Sequence, residues 1–214
     1  MKKVGLLIPK TNLTVEYELQ YLFNNKFFTT DDVVFYTSKL DYKTSYKENK
    51  EQYLKDLVED SFKKIKDLEY LGVDYISFFC TSSAIINSDI VIESNPAGAL
   101  IESAQTNKIE QCLLITPYND LLGNKVKSEL EKNNILVTRV LNLNLLNTVD
   151  YFDFGINKLE QYIIDNFREE DKNIIISCTN LPTLSVINHI KNKYYINIIS
   201  SNSSLFDKIK KDIN

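Results

Sequence analysis

The sequence predicts an α/β protein of two pseudo-symmetric lobes, each a mostly parallel sheet flanked by helices, with an active site in the cleft between them. Short apolar runs alternate with segments of helical period, which is typical of βα units around a parallel sheet. Two short motifs recur in the same order in both halves. The predicted lobes span residues 1–107 and 108–214, with the option that the chain crosses back at its C-terminus.

The repeated motifs directly follow apolar runs. IPKTN (Ile8–Asn12) in the first half is matched by TPYN (Thr116–Asn119) in the second. ISFFCTS (Ile76–Ser82) is matched by IIISCTN (Ile174–Asn180). Each half therefore has a strand that ends in Cys-Thr and a polar residue. Ligands of parallel sheets bind at the carboxyl ends of strands, so both cysteines are expected at a shared cleft.

The predicted strands are short runs rich in β-branched, aromatic and other apolar residues, bounded by polar or turn-forming residues. In chain order they are Val4–Ile8, Val33–Thr37, Tyr75–Phe79, Ile90–Ile92, Cys112–Thr116, Leu136–Val140, Asn173–Ser177 and Tyr195–Ile199.

The predicted helices are the intervening segments in which apolar residues recur three or four positions apart. The clearest has Tyr53, Leu57, Phe62, Ile65 and Leu68 on one face and ends before Gly72, where a C-terminal cap belongs. In chain order the helices are Thr14–Phe23, Tyr46–Leu71, Gly98–Thr106, Asp120–Asn133, Ile156–Phe167, Pro182–Lys191 and Ser203–Lys211.

The composition excludes several function classes. The chain has 214 residues, 43% of them hydrophobic, and a net charge of -4 from 25 basic and 29 acidic residues. No basic stripe is present for nucleic acid, and no apolar stretch approaches the roughly 20 residues of a membrane span. The apolar run Val4–Ile8 is too short for a signal peptide. Three cysteines cannot all pair within one chain, which predicts free thiols and a cytoplasmic location.

The cysteines that end the two matched strands carry the predicted chemistry. A helix that begins beside Cys80 or Cys178 would stabilise a thiolate, lower the thiol pKa below about 8.5 and hold a substrate carboxylate. Either cysteine alone is as well explained as a small core residue, but their matched positions favour a functional pair. Cys112, at the start of an apolar run, is expected in the core.

The sequence offers no partner for other chemistries. His189 is the single histidine, and the helical rise puts it on the order of 15 Å from Cys178, which argues against a Cys-His hydrolase. It is expected at the surface. No CxxC or HxxxH spacing predicts a metal site, and no Gly-rich loop predicts a nucleotide cofactor. We therefore expect neither a metal nor a cofactor.

Two opposed thiols suit two reactions. One is proton transfer, in which one thiolate removes a Cα proton and the other thiol protonates the opposite face; the second is thiolate addition to an activated double bond, then rotation and elimination. Arginine occurs only at Arg139 and Arg168, outside the motifs. Carboxylate binding is thus expected from N–H groups and neutral side chains, although each of these residues, taken singly, is more often a cap or a turn former. They are Asn12, Thr81, Ser82, Asn119, Thr179 and Asn180.

Four segments resemble the aspartate/glutamate/hydantoin racemase superfamily, most closely its branch of maleate cis-trans isomerase and arylmalonate decarboxylase. They are GLLIPKTNLTVE (Gly5–Glu16), FFCTSSA (Phe78–Ala84), LLITPYND (Leu113–Asp120) and ISCTNLPT (Ile176–Thr183). The resemblance implies a homodimer without a cofactor, in which Cys80 adds to maleate and Cys178 acts as the opposing acid or base. The substrate-binding residues that it implies are Asn12, Thr81, Ser82, Tyr118, Asn147, Thr179 and Asn180.

The segments also differ from relatives within the superfamily. A cysteine at position 80 argues against the decarboxylases, which typically have glycine there, and Cys-Thr-Ser and Ser-Cys-Thr-Asn differ from the Cys-Asn-Thr and Gly-Cys-Thr-Glu of amino-acid racemases. Lys10 replaces a small residue and is expected at the mouth of the site, either paired with a substrate carboxylate or solvated. Three hypotheses follow: a maleate-type isomerase, an amino-acid or hydantoin racemase, and a noncatalytic carboxylate-binding protein.

Overall fold

A computed structural model describes residues 1–86, 92 and 94–214 and has the predicted α/β fold class. Its first sheet has the parallel order β2-β1-β3. These strands are β1 (Lys2–Pro9), β2 (Val33–Leu40) and β3 (Tyr75–Phe78). The central strand β1 is buried from Val4 to Pro9, as expected for a strand covered on both faces.

The second sheet has the parallel order β5-β4-β6-β7. Its strands are β4 (Gln111–Thr116), β5 (Leu136–Asn142), β6 (Asn173–Ile176) and β7 (Asn197–Ser200). In both sheets a central strand carries one of the matched motifs, IPKTN on β1 and TPYN on β4. The neighbouring strands β3 and β6 carry the two Cys-Thr motifs.

Helices cover the sheets and connect the strands. The first lobe and its connection to the second contain α1 (Val15–Asn24), α2 (Lys50–Tyr70), α3 (Thr81–Ile86) and α4 (Pro96–Thr106). The rest of the chain adds α5 (Asp120–Lys132), α6 (Thr148–Asn157), α7 (Leu159–Asn166), a 3₁₀ turn (Glu169–Asp171), α8 (Leu184–Tyr194) and α9 (Ser201–Ile213). Within the described part of the chain, no helix is long and apolar enough to cross a membrane.

The last helix packs against the first sheet. Leu205, Phe206 and Ile209 of α9 are buried in one cluster with Leu6 and Ile8 of β1. The C-terminal segment thus completes the core of the N-terminal sheet, while β4 and β6 lie in a separate cluster. The lobe boundary at residue 107 stays a prediction.

Several predicted elements differ from the structure at their ends. The long helix begins at Lys50, because the side chain of Asn49 accepts the N–H of Gln52 and caps it. Gly72 has φ +66 and ends the helix as predicted, but Phe62 is 47% exposed and does not share its buried face. Of the predicted strand Ile90–Ile92, residues 90 and 91 lie outside the described residues, and Ile92 has no strand conformation.

The predicted helix Ile156–Phe167 is two helices. The chain turns at Lys158, which has φ -131. This turn lets Leu159 and Ile163 of α7 join Tyr151 of α6 in the cluster around β4 and β6, the second core. Tyr195 is not in a strand either: it is the left-handed residue that ends α8, so β7 starts two residues later.

A close contact joins α6 to the segment after Cys178. A Cβ on Gly155 would lie 2.8 Å from the backbone nitrogen and oxygen of Pro182. We predict that Gly155→Ala lowers the free energy of unfolding by about 1–3 kcal/mol, because backbone on one side must move. Gly98→Ala in α4 is the matched control, since its nearest atom would be 3.6 Å away, and it is expected to be neutral or stabilising. Urea unfolding measures both; equal stabilities would contradict the contact.

Candidate active site

A pocket lies between the lobes, at the carboxyl ends of β1, β3, β4 and β6. Both Cys80 and Cys178 line it, as do the other carboxylate-binding residues predicted from sequence except Asn119 and Asn147. The side chain of Asn119 instead accepts the N–H of Leu122 and caps α5. The lining residues are Pro9, Thr11, Asn12, Tyr42, Tyr46, Tyr53, Cys80, Thr81, Ser82, Tyr118, Leu146, Thr148, Tyr151, Cys178, Thr179 and Asn180.

Cys80 lies between β3 and α3 and is 7% exposed. The hydroxyl of Ser83 donates to its Sγ over 3.1 Å, and the Oγ of Ser82 lies 3.6 Å away. A donor that points at a sulfur stabilises negative charge on it. Two serine hydroxyls therefore lie close to the sulfur of Cys80.

Cys178 follows β6 and is more deeply enclosed. Burial raises the pKa of its thiol to about 12, although the Tyr118 hydroxyl and the N–H groups of Asn180 and Leu181 favour the thiolate. The Asn180 nitrogen lies 3.3 Å from Sγ. The predicted lowering of this pKa is therefore wrong, because burial outweighs these donors and α8 begins only at Leu184, six residues after the sulfur. Cys178 carries its proton at neutral pH.

The loops after β1 and β6 are bonded to each other. Asn12 donates through Nδ2 to the Thr179 carbonyl over 3.2 Å and accepts the N–H of Thr14 on Oδ1. Asn180 accepts the N–H of Leu13 on its Oδ1 over 2.8 Å. Both asparagines thus hold the two lobes together at the pocket. These bonds do not use the Nδ2 of Asn180, which can still donate to a ligand.

The threonines of the two Cys-Thr motifs have different environments. Thr179 donates its hydroxyl to the Phe79 carbonyl over 2.9 Å, which ties the two cysteine junctions together. The Oγ1 of Thr81 is buried and has no hydrogen-bond partner among the described residues. Because an unpaired buried hydroxyl is costly, Thr81 is the best-placed lining donor for a ligand oxygen.

Tyrosines form one wall of the pocket, and apart from Tyr118 the sequence analysis missed them. The rings of Tyr42 and Tyr46 lie 4.9 Å and 5.4 Å from that of Tyr53, whose hydroxyl is hydrogen-bonded to Thr11. Tyr46 and Tyr151 are hydrogen-bonded to each other, and burial raises the pKa of both hydroxyls. With 13 tyrosines in the chain, composition gave no signal for this cluster.

The lining is uncharged: none of the described residues that face the pocket is Lys, Arg, His, Asp or Glu. Lys10 does not line it; this lysine forms an ion pair with Asp41 and lies 4.3 Å from the Tyr42 ring centroid. The described lining therefore offers neutral donors to a ligand, and the predicted binding of a carboxylate by such donors stays a prediction.

Asn147 does not line the pocket. Its backbone N–H and its Nδ2 both bond to Asp150 at the start of α6, over 3.0 and 2.9 Å, and the residue is exposed. Its neighbours Leu146 and Thr148 face the pocket instead. The role of Asn147 as a substrate ligand is corrected to that of a helix cap.

The remaining singled-out residues lie elsewhere. His189 is exposed and its Nδ1 is 2.9 Å from Glu160. Cys112 is fully buried in the second core, where burial raises its pKa to about 12. Among the described residues, no group of His, Cys, Asp and Glu side chains is arranged to hold a metal ion.

Glu18 of α1 is a buried carboxyl that the sequence did not single out. It accepts hydrogen bonds from the backbone N–H groups of Thr183 and Leu184 and from Asn202. Burial raises its pKa to about 7, although these hydrogen bonds oppose the increase. The folded protein therefore binds this proton more tightly than the unfolded chain.

A pH dependence of stability follows from Glu18. Its stabilisation is complete below the ordinary pKa of 4.5 and is lost as pH rises through about 7. Relative to Glu18→Gln, which cannot ionise, the wild type should lose roughly 3 kcal/mol of unfolding free energy between about pH 4.5 and pH 8. Urea unfolding across this range measures it, with Glu16→Gln as control because Glu16 is a surface partner of Lys39. Parallel curves for wild type and Glu18→Gln would contradict the raised pKa.

The comparisons agree with the resemblance found in the motifs. The chain is 20% identical to maleate isomerase from Geobacillus stearothermophilus over 234 residues, covering 99% of this chain and 92% of that protein. No family model matches.

Solved structures share the fold. A cysteine-to-alanine variant of the maleate isomerase from Pseudomonas putida S16, solved with maleate, has a TM-score of 0.83 at 17% identity. A cysteine-to-serine mutant of Nocardia farcinica maleate cis-trans isomerase, with a covalently bound succinylcysteine intermediate, has a TM-score of 0.82 at 16% identity. Each comparison covers 99% of this chain and 92% of the other. The predicted resemblance and the two-sheet fold are confirmed.

Proposed function

We propose that the protein is an isomerase that converts a maleate-like cis-dicarboxylate to its trans isomer without a cofactor. The observation that carries the proposal is that Cys80 and Cys178, from matched strand ends of two lobes, line one pocket. The similarity to maleate isomerases over nearly the whole chain supports the same reaction.

The first step is addition to the double bond. The Cys80 thiolate forms a C–S bond to one olefinic carbon, and the π electrons move to the other carbon, where the adjacent carboxylate stabilises them. The Cys178 thiol, protonated at neutral pH, transfers its proton to that carbon. The product is a succinyl thioether on Cys80 and a thiolate on Cys178.

The second step reverses the first, after rotation about the carbon–carbon bond that was the double bond. The Cys178 thiolate removes a proton from the same carbon, the double bond re-forms and the Cys80 thiolate leaves. Atoms and charge balance, since both cysteines return to their starting states. The high pKa of Cys178 fits this role, because a thiolate of a weak acid is a stronger base toward a C–H bond.

Binding of the substrate carboxylates is assigned to neutral donors. The unpaired Thr81 hydroxyl and the neighbouring Ser82 lie beside Cys80. Asn180, whose backbone nitrogen lies 3.3 Å from the Cys178 sulfur, also lines the pocket and has its Nδ2 available. Tyr118, whose hydroxyl donates to the Cys178 thiol, also lines the pocket and can assist proton transfer. In a buried site these dipoles act more strongly than they would in water.

The lining favours the isomerase over an amino-acid racemase. An α-ammonium group calls for a carboxylate partner in a buried site, and no Asp or Glu is present among the described lining residues. A noncatalytic carboxylate-binding protein needs only the donors, so the pairing of two thiols across the pocket argues against it.

Proton NMR of the wild-type protein with maleate in deuterated buffer tests the proposal. We expect fumarate signals to grow as maleate signals decline. Deuterium entering Cα of an added amino acid, without any fumarate, would reject the isomerase proposal and support the racemase. Tight binding of maleate without turnover would support the binding protein.

We also propose a cytoplasmic location and a homodimer. All three cysteines are free, which suits a reducing compartment. The dimer rests on the resemblance to the superfamily. Light scattering of the purified protein tests it, and a monomeric mass at working concentration would contradict it.

A further inference from the structure

The loop between Cys178 and α8 holds the hydrogen-bond donors that face the Cys178 sulfur. It carries the backbone N–H groups of Asn180 and Leu181, which favour the thiolate. Residues 179–183 are in neither helix nor strand, so their geometry is not fixed by secondary-structure hydrogen bonds. Contacts from elsewhere in the fold must fix it.

Beside the bonds that join the loop to Asn12, Leu13 and Phe79, two buried side chains hold it. Asn202 of α9 donates through Nδ2 to the carbonyls of Thr179 and Leu181, over 3.3 and 3.5 Å, and also to Glu18. Glu18 accepts the N–H of Leu184 over 2.9 Å and the N–H of Thr183. Asn202 and Glu18 are therefore hydrogen-bonded to both ends of the loop.

We propose that Glu18 is a positioning residue, which through Asn202 and the start of α8 keeps the N–H groups of the Cys178 loop aimed at the sulfur. The inference rests on the acid and base role proposed for Cys178. Glu18 does not line the pocket, so it acts only through the loop.

Glu18 does more than an ordinary helix cap. Thr183, the N-cap residue of α8, makes no side-chain cap bond, and the carboxylate takes its place at the positive end of the helix. A cap of this kind needs only a local Ser or Asp. Here it comes from α1 of the other lobe, is 1% exposed and is paired only to neutral donors. Its reach across the lobes links the Cys178 loop to the first lobe.

Selective alkylation separates positioning from folding. Iodoacetamide at about pH 9, limited so that few molecules are labelled twice, is followed by mass spectrometry of the peptides containing Cys80 and Cys178. The groups that face Cys178 are Cys80 and the tyrosines Tyr118, Tyr46 and Tyr151, and all are unchanged in the variants. Cys80 is thus an internal reference in each sample.

Glu18→Ala should slow Cys178 alkylation about tenfold relative to Cys80, the factor that corresponds to one pKa unit. Glu18→Gln keeps an oxygen acceptor for Thr183 and Leu184 but turns an amide N–H group toward the Asn202 donor, so its slowing should fall between that of Glu18→Ala and wild type. The surface control Glu16→Gln should stay within about twofold of wild type. Asn202→Ala, which keeps Glu18, should slow Cys178 as Glu18→Ala does and gives the answer if Glu18→Ala fails to fold.

Unchanged Cys178 reactivity in folded Glu18→Ala or Asn202→Ala would overturn the proposal. Faster alkylation in both Glu18 variants would also overturn it, because the carboxylate would then act by its charge alone. The assay needs no turnover, so absence of maleate isomerisation would reject the proposed function without deciding this inference.

Discussion

Cys80→Ala is expected to lower the isomerisation rate by about 10⁴-fold or more. The variant loses the sulfur that forms the covalent bond, and removal of an attacking nucleophile leaves only the catalysis due to binding and orientation. Maleate binding should change little, because Thr81, Ser82 and Asn180 remain. The rate is measured by proton NMR, and binding by calorimetry.

Cys112→Ala is the matched control for the Cys80 variant. Cys112 is a buried cysteine of the second core and does not line the pocket, so its removal should cost stability but little activity. If Cys80→Ala kept more than about a tenth of wild-type turnover while Cys112→Ala kept wild-type turnover, the proposed covalent addition by Cys80 would be rejected.

Cys178→Ala is expected to have the next largest effect, a loss of about 10²- to 10⁴-fold. This is the contribution of a positioned general acid and base, which Cys178 supplies in both steps. The loss should be smaller than that of Cys80→Ala, because the nucleophile is still present and water can replace the proton donor slowly.

The separate effects on kcat and KM distinguish this acid and base role of Cys178 from a packing role. In Cys178→Ala the kcat should fall while KM changes by less than a few fold, because the thiol acts on the reacting carbon rather than on the carboxylates. A loss no greater than that of Cys112→Ala would show that Cys178 only fills space.

The sequence predicted the parts of the site that follow from strand ends. Cys80 and Cys178 each come after a run of buried strand residues, and parallel strands put their carboxyl ends on one edge of a sheet. Because the motifs match between the halves, the two sheet edges were predicted to face one cleft. The local sequence pattern was enough to predict both cysteines, because a residue at the end of a parallel strand lies at the edge of the sheet.

The sequence could not predict what depends on contacts distant in the chain. The Cys178 pKa depends on burial by both lobes, and the break at Lys158 on the second core. Glu18 resembles any first-turn glutamate of an amphipathic helix until Thr183 and Asn202 fold onto it. Asn147 is the opposite case: its type fitted a ligand, but its neighbour Asp150 makes it a cap.

The most direct test of covalent catalysis is peptide mass spectrometry of Cys178→Ala after incubation with maleate. We expect a mass increase equal to one maleic acid on the peptide containing Cys80, because addition still occurs while the return step lacks its base. No adduct at all under conditions where the wild type is active, or an adduct on Cys112 alone, would contradict the account.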